Sequence, residues 1–227
     1  MSIHSYKMNG GVSPYMDSRT GKPSSGTFLN KQILAVYHGF YYAGDQEKRE
    51  RTGTIENIIT TLKNQFGKTC RPTLDQACEN LKQILSKDLP EILEKTEKRE
   101  LMVCVVPRSK AENTYSPSQL LFKKTIKDCI TDLNGFLDGT ECIVRYTDTR
   151  TTHMNKSGYG GNGDLPYPGI TKNTCRISNV IGKEILLIDD LYTEGVNIDE
   201  DAIQALLENG AQSVIFYSLG KTMKQRV

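Results

Sequence analysis

The stretch Glu184-Ile185-Leu186-Leu187-Ile188-Asp189-Asp190-Leu191-Tyr192-Thr193-Glu194-Gly195-Val196-Asn197 constrains this chain more than any other. It starts as an apolar run, the pattern of a strand buried on both faces. Two adjacent carboxylates, Asp189 and Asp190, interrupt the run. A short turn with Thr193, Gly195 and Asn197 follows, and Ile198 opens a helical repeat. A strand that stops in acids and turns into a helix start sets carboxylates beside unpaired backbone N–H groups. That pairing suits a ligand carrying both hydroxyls and phosphate.

The rest of the second half alternates strand and helix. Residues 101–106, 142–146 and 213–217 read as strands, and 117–133 and 198–209 as amphipathic helices. Such alternation predicts an α/β fold, a mostly parallel sheet with flanking helices and a Rossmann-like core. Ligands of these sheets bind beyond the carboxyl ends of the strands. Two loops fall there: Arg108, Ser109 and Lys110 after the first of these strands, and Asp189 to Asn197. The first offers cations and donors suited to a diphosphate. The second offers carboxylates that accept from sugar hydroxyls.

The first hundred residues follow another pattern. Residues 1–30 are polar and rich in Gly, Ser and Pro, and are expected to be an irregular lead-in. Residues 31–98 read as one strand (32–42) and several helices, at 54–66, from Thr73 to about 85, and at 89–98. This makes a mainly helical accessory region or hood, joined by a charged connector to a core over 99–227. The chain has 227 residues, enough for one sizeable core plus such a lobe.

Charge and cysteine usage narrow the setting. The net charge of +2 gives no argument for a nucleic-acid-coating or membrane-surface protein. No apolar run approaches the roughly 20 residues a membrane helix needs, and a cytoplasmic protein is expected. The cysteines show no C-x-x-C pair and read as reduced core thiols. Neither they nor the histidines have zinc spacing. No dinucleotide-binding or P-loop glycine motif is present.

The residues from Ile185 to Asn197 resemble the ribose-phosphate loop of type I phosphoribosyltransferases. The match is an apolar strand, two acids, two apolar residues, then Thr193 and Gly195. The layout from Arg99 to Thr222 is most similar to the ComF-like branch, including the Val-Pro turn at Val106-Pro107, but without that branch's N-terminal zinc module. The resemblance implies a transferase that uses 5-phosphoribosyl 1-pyrophosphate and Mg2+, with a nucleobase or amine displacing pyrophosphate at ribose C1.

It also implies roles. Asp189 and Asp190 hold the ribose hydroxyls and stabilise charge developing on the sugar. Thr193, Glu194, Gly195, Val196 and Asn197 wrap the 5′-phosphate; by its own side chain, Asn197 can also donate and cap the following helix. Arg108, Ser109 and Lys110 meet the pyrophosphate. Mg2+ reaches Asp189 and Asp190 only through ligand and water. The insert over 147–179 stands where the family carries a mobile loop, with His153, Lys156 and Lys172 as candidates for a closing charge. Glu194 and Asn197 depart from the family's Thr and other small residues. They motivate a second reading: a ribose-phosphate or nucleotide sensor without turnover, with DNA handling as a variant. A homodimer stays open.

Overall fold

The computed structural model describes residues 3–151 and 160–223. Its centre is a six-stranded sheet in the order β1-β4-β10-β9-β5-β6. The strands are β1 (His4–Met8), β4 (Ile33–Tyr41), β5 (Leu101–Val105), β6 (Phe136–Asp138), β9 (Glu184–Tyr192) and β10 (Ser213–Thr222). β1 runs antiparallel to β4 at one edge, and the other pairings are parallel. The fold is α/β with a mostly parallel, helix-flanked sheet.

The central strands read as continuous apolar runs because both faces are covered. After the short α1 (Gln46–Glu50), the helices α2 (Ile55–Lys63), α3 (Arg71–Thr96) and α4 (Leu121–Thr131) share one core with Val103, Val105, Leu186, Ile188 and Tyr217. Cys104, Leu187 and Phe216 face the other core with α6 (Ile198–Glu208). α4 carries the chain from β5 outward to β6. α6 carries it from β9 outward to β10, the opposite way. The sheet order therefore reverses between neighbouring β5 and β9, and a crevice opens at their carboxyl ends.

The structure corrects the irregular lead-in. Residues 4–29 hold β1 and a hairpin of β2 (Gly11–Asp17) and β3 (Lys22–Leu29). Most of their side chains are exposed, so no apolar periodicity marks them. Pairing to β4 and burial of Met8, Phe28 and Leu29 hold them instead. β4 lies inside the main sheet between β1 and β10, so residues 31–98 share the sheet with 99–227.

Other boundaries move for local reasons. The expected helix over 54–66 ends at Lys63, because Asn64 turns left-handed at φ 37°. Phe66 is consequently 72% exposed. The expected helices at 73–85 and 89–98 are one 26-residue helix, α3. Its stripe of Leu81, Leu85, Leu89 and Ile92 is 0% exposed and continues straight through Pro90. Burial of that stripe outweighs a proline cost of about 3 kcal/mol. Pro90 itself is exposed. Pro90→Ala is expected to stabilise the protein by about 1–2 kcal/mol, less than the full proline cost because proline also restricts the unfolded chain. A urea titration checks this, and an unchanged or lower midpoint contradicts it.

The expected strand at 142–146 forms as β7 (Ile143–Arg145), but outside the main sheet. It pairs with β8 (Cys175–Ile177) in a two-stranded ribbon. The place beside β5 goes to β6. Among the described residues, no helix is long and apolar enough to cross a membrane.

Candidate functional site

The ladder between β5 and β9 extends to Val106, whose N–H donates to the Ile188 carbonyl at 2.9 Å. Beyond it the two chain segments part. Pro107 and Arg108 leave the sheet, while Asp189 and Asp190 continue in β9 alongside β10. Together they line one cavity, with Ser109, Arg150 and Lys63 on its walls. The sequence placed both loops at strand ends, and the structure brings Arg108, Ser109, Asp189 and Asp190 to the same cavity.

The loop from Arg108 to Lys110 is held by several contacts. Arg108 donates to the Gln119 carbonyl at 2.6 Å and to Gln65 Oε1 at 3.3 Å. Its guanidinium stacks over Tyr115, 4.4 Å from the ring centre. The Ser109 and Thr151 hydroxyls are 2.7 Å apart. Arg145 Nε donates to the Arg108 carbonyl at 2.7 Å. Lys110 is turned from this cavity: its ammonium donates to the carbonyls of Thr149 and Asn162, at 2.9 and 3.2 Å. It braces the insert, and of the three residues expected to meet a pyrophosphate it is the one that does not line this cavity. Arg150 is the cation that sequence reading missed here. Its Nε is buried without a hydrogen-bond partner among the described residues, on the wall of the cavity.

The acidic side is compressed. Asp189 Oδ1 accepts the Asp190 N–H at 2.7 Å. The Lys63 ammonium sits 3.2 Å from Asp190 Oδ1. Burial, then the Asp190 charge, pushes the Asp189 carboxyl up to about 7. Asp199, in the first turn of α6, bonds side chain to side chain with Asp189, and burial and that neighbour hold it well above the usual carboxylate range. Burial alone would lower Lys63, but Asp190 and Asp189 hold its ammonium above the ordinary lysine value. Burial and the close approach of the two carboxyls thus push both Asp189 and Asp199 toward the protonated form.

The turn behind β9 is built differently from expectation. Val196 N–H closes it on the Thr193 carbonyl at 3.1 Å, and Gly195 takes φ 85°. Among the described residues, its two chain neighbours apart, no heavy atom stands within 4 Å of where a Cβ at Gly195 would be, so the backbone there is open to a ligand. The Thr193 hydroxyl lies 2.7 Å from the Thr222 hydroxyl. Asn197 stands at the N-cap position of α6, but its side chain makes no cap bond: its backbone is left-handed, φ 65°, and its amide donates to the Gly195 carbonyl at 3.3 Å. Glu194, Gly195 and Asn197 line a second cavity with Tyr6, Glu200 and Lys221. The 193–197 turn thus borders a space distinct from that of the two aspartates.

Of the closing-charge candidates, His153 and Lys156 lie outside the described residues. Lys172, in α5 (Ile170–Thr174), pairs with Glu208 of α6 at 3.2 Å on the exposed surface. It does not reach the cavity, because Asp201 of α6 fastens that short helix by accepting the Gly169 and Thr171 N–H groups. Among the described residues no group of three or more His, Cys, Asp or Glu side chains stands placed to hold a metal ion. Lys63 is the other missed residue. The sequence shows it as the polar face of a helix, and nothing local indicates that its partner is Asp190. Compared with models of protein families and with curated proteins, the chain matches none.

Proposed function

We propose that the cavity between β5 and β9 binds 5-phosphoribosyl 1-pyrophosphate, or a closely related ribose phosphate, in a type I phosphoribosyltransferase-like core. The protein then transfers the phosphoribosyl group to a nucleobase or amine. One observation carries this reading: two carboxylates and the cations Arg108 and Arg150 face a single cavity at the point where the sheet order reverses. A ribose diol donates to Asp189 and Asp190. A diphosphate accepts from Ser109, Arg150 and the Arg108 N–H groups that Gln119 and Gln65 do not engage.

In the reaction the acceptor's lone pair attacks C1 of the ribose. The bond from C1 to the pyrophosphate oxygen breaks, and its electron pair leaves with pyrophosphate. Positive charge develops on the sugar in between, and Asp189 and Asp190 stabilise it electrostatically. The guanidinium groups of Arg108 and Arg150 receive the charge of the leaving group. A magnesium ion carried on the diphosphate would neutralise charge on the leaving group.

The test is incubation with the donor and a panel of nucleobases and amines, reading pyrophosphate release. Release from the wild type, and its loss by about a hundredfold or more in Asp189→Asn/Asp190→Asn, is expected for charged groups stabilising a transition state. Donor binding without release across the panel would favour the sensor reading. That reading also has an observation behind it. The 193–197 turn faces a different cavity, and α6 begins with buried Asp199, Glu200 and Asp201. Such acids oppose a 5′-phosphate at the helix start while they are ionised. Burial raises all three above their ordinary range, which relieves the opposition.

A further inference from the structure

Lys63 is the last residue of α2, and its backbone is fixed on both sides. Ile58, Ile59 and Leu62, on the preceding turns, are at most 2% exposed. Asn64 follows, 3% exposed, with its amide donating to Ser118 Oγ at 3.1 Å and its Oδ1 accepting the Thr69 N–H at 3.1 Å. The side chain leaves this anchored point for the cavity and places its ammonium 3.2 Å from Asp190 Oδ1. The two side chains keep only 26% and 18% of their exposure. This is therefore not a loose surface pair of negligible worth.

An ammonium has three donors. Asp190 engages the ammonium, and both residues line the cavity. A hydroxyl entering beside Asp190 can donate to the carboxylate and accept from Lys63, closing a short network. A divalent cation seeking the same carboxylate meets a positive charge already there. Displacing that charge means moving an ammonium out of a pair held by an anchored helix end.

We propose that Lys63 is the resident cation of the ribose site. It neutralises and orients Asp190, so that the donor binds there without a divalent metal. The inference rests on the ribose-phosphate reading of the cavity and adds to it a residue from outside the resembling segment, with a defined electrostatic task.

Calorimetric titration with 5-phosphoribosyl 1-pyrophosphate, in EDTA and in magnesium chloride, tests it. Wild-type Kd values within about threefold of each other are expected. Lys63→Met is expected to weaken binding in EDTA by about tenfold or more, with magnesium restoring most of the loss. Lys63→Arg, which keeps the cation, is expected to bind in EDTA nearly as the wild type does. A wild type that loses more than about tenfold in EDTA overturns the inference while leaving the ribose reading intact. Unchanged binding of Lys63→Met in EDTA does the same. A wild type that binds in neither buffer overturns both. The two wild-type arms decide the point even if Lys63→Met fails to fold.

Discussion

Asp189→Asn is expected to stabilise the ligand-free protein at pH 8 by about 1–3 kcal/mol. The reason is the carboxyl's raised pKa. Asp189 titrates near 7 here against 3.8 in an unconstrained chain, through burial first and the Asp190 charge second. Between those values the native protein holds a proton that the unfolded chain has released. Stability due to this group is therefore fully present below about pH 4 and falls as pH rises toward 7. The full shift corresponds to about 4 kcal/mol, and the nearby Lys63 and the coupling to Asp199 reduce what a single substitution recovers. Asparagine resembles the protonated acid and carries no charge to lose. Its advantage should be largest at pH 8, smaller at pH 6 and absent near pH 4. Paired denaturant titrations at the three values measure it. A variant less stable than the wild type at pH 8, or a gain that does not change with pH, would contradict the account. Acids kept at a cost to stability are characteristic of functional sites.

Asp88→Ala is expected to destabilise by about 3–5 kcal/mol. Asp88 of α3 is 1% exposed. Its Oδ2 accepts from the Tyr217 hydroxyl of β10 at 2.7 Å and lies 2.9 Å from His38 Nδ1 of β4. One carboxylate thus fastens α3 to two neighbouring strands. Alanine leaves the Tyr217 hydroxyl, on a residue 0% exposed, without that acceptor, and removes buried volume as well. Removing both partners should cost less than removing one, so Asp88→Leu/Tyr217→Phe is expected to recover more than half of the loss. A double variant no more stable than Asp88→Ala would show that packing, not the orphaned hydroxyl, sets the cost.

How far the sequence foretold the site follows from the range over which its signals act. Asp189 and Asp190 were legible because an apolar run ending in acids before a helical repeat is a local pattern. β5 and α6 were legible for the same reason. β2 and β3 were not, since their exposed side chains leave no apolar alternation and Pro14 and Pro23 argue against strands. β6 has three residues, too few for any period to show. β7 was legible as a strand, but which sheet it joins depends on the competing edge offered by β6. The cations divide in the same way. Arg108 follows a strand and declares itself. Lys63 and Arg150 reach the cavity only through tertiary packing, and Lys110 leaves it to hold Thr149 and Asn162. The orientation of Glu194 toward the second cavity was likewise a tertiary outcome. It removes one negative charge from the cavity of the two aspartates and explains how an acid is tolerated in that turn.

The central claim is that the crevice between β5 and β9 is a ribose-phosphate site. A crystal structure of the protein soaked with 5-phosphoribosyl 1-pyrophosphate tests it most directly. The account predicts ribose hydroxyls within hydrogen-bond distance of Asp189 and Asp190, Lys63 still beside Asp190, and the diphosphate against Ser109 and Arg150. Donor density in the cavity of Tyr6 and Glu200 instead, or none in the crevice at saturating donor, would contradict it.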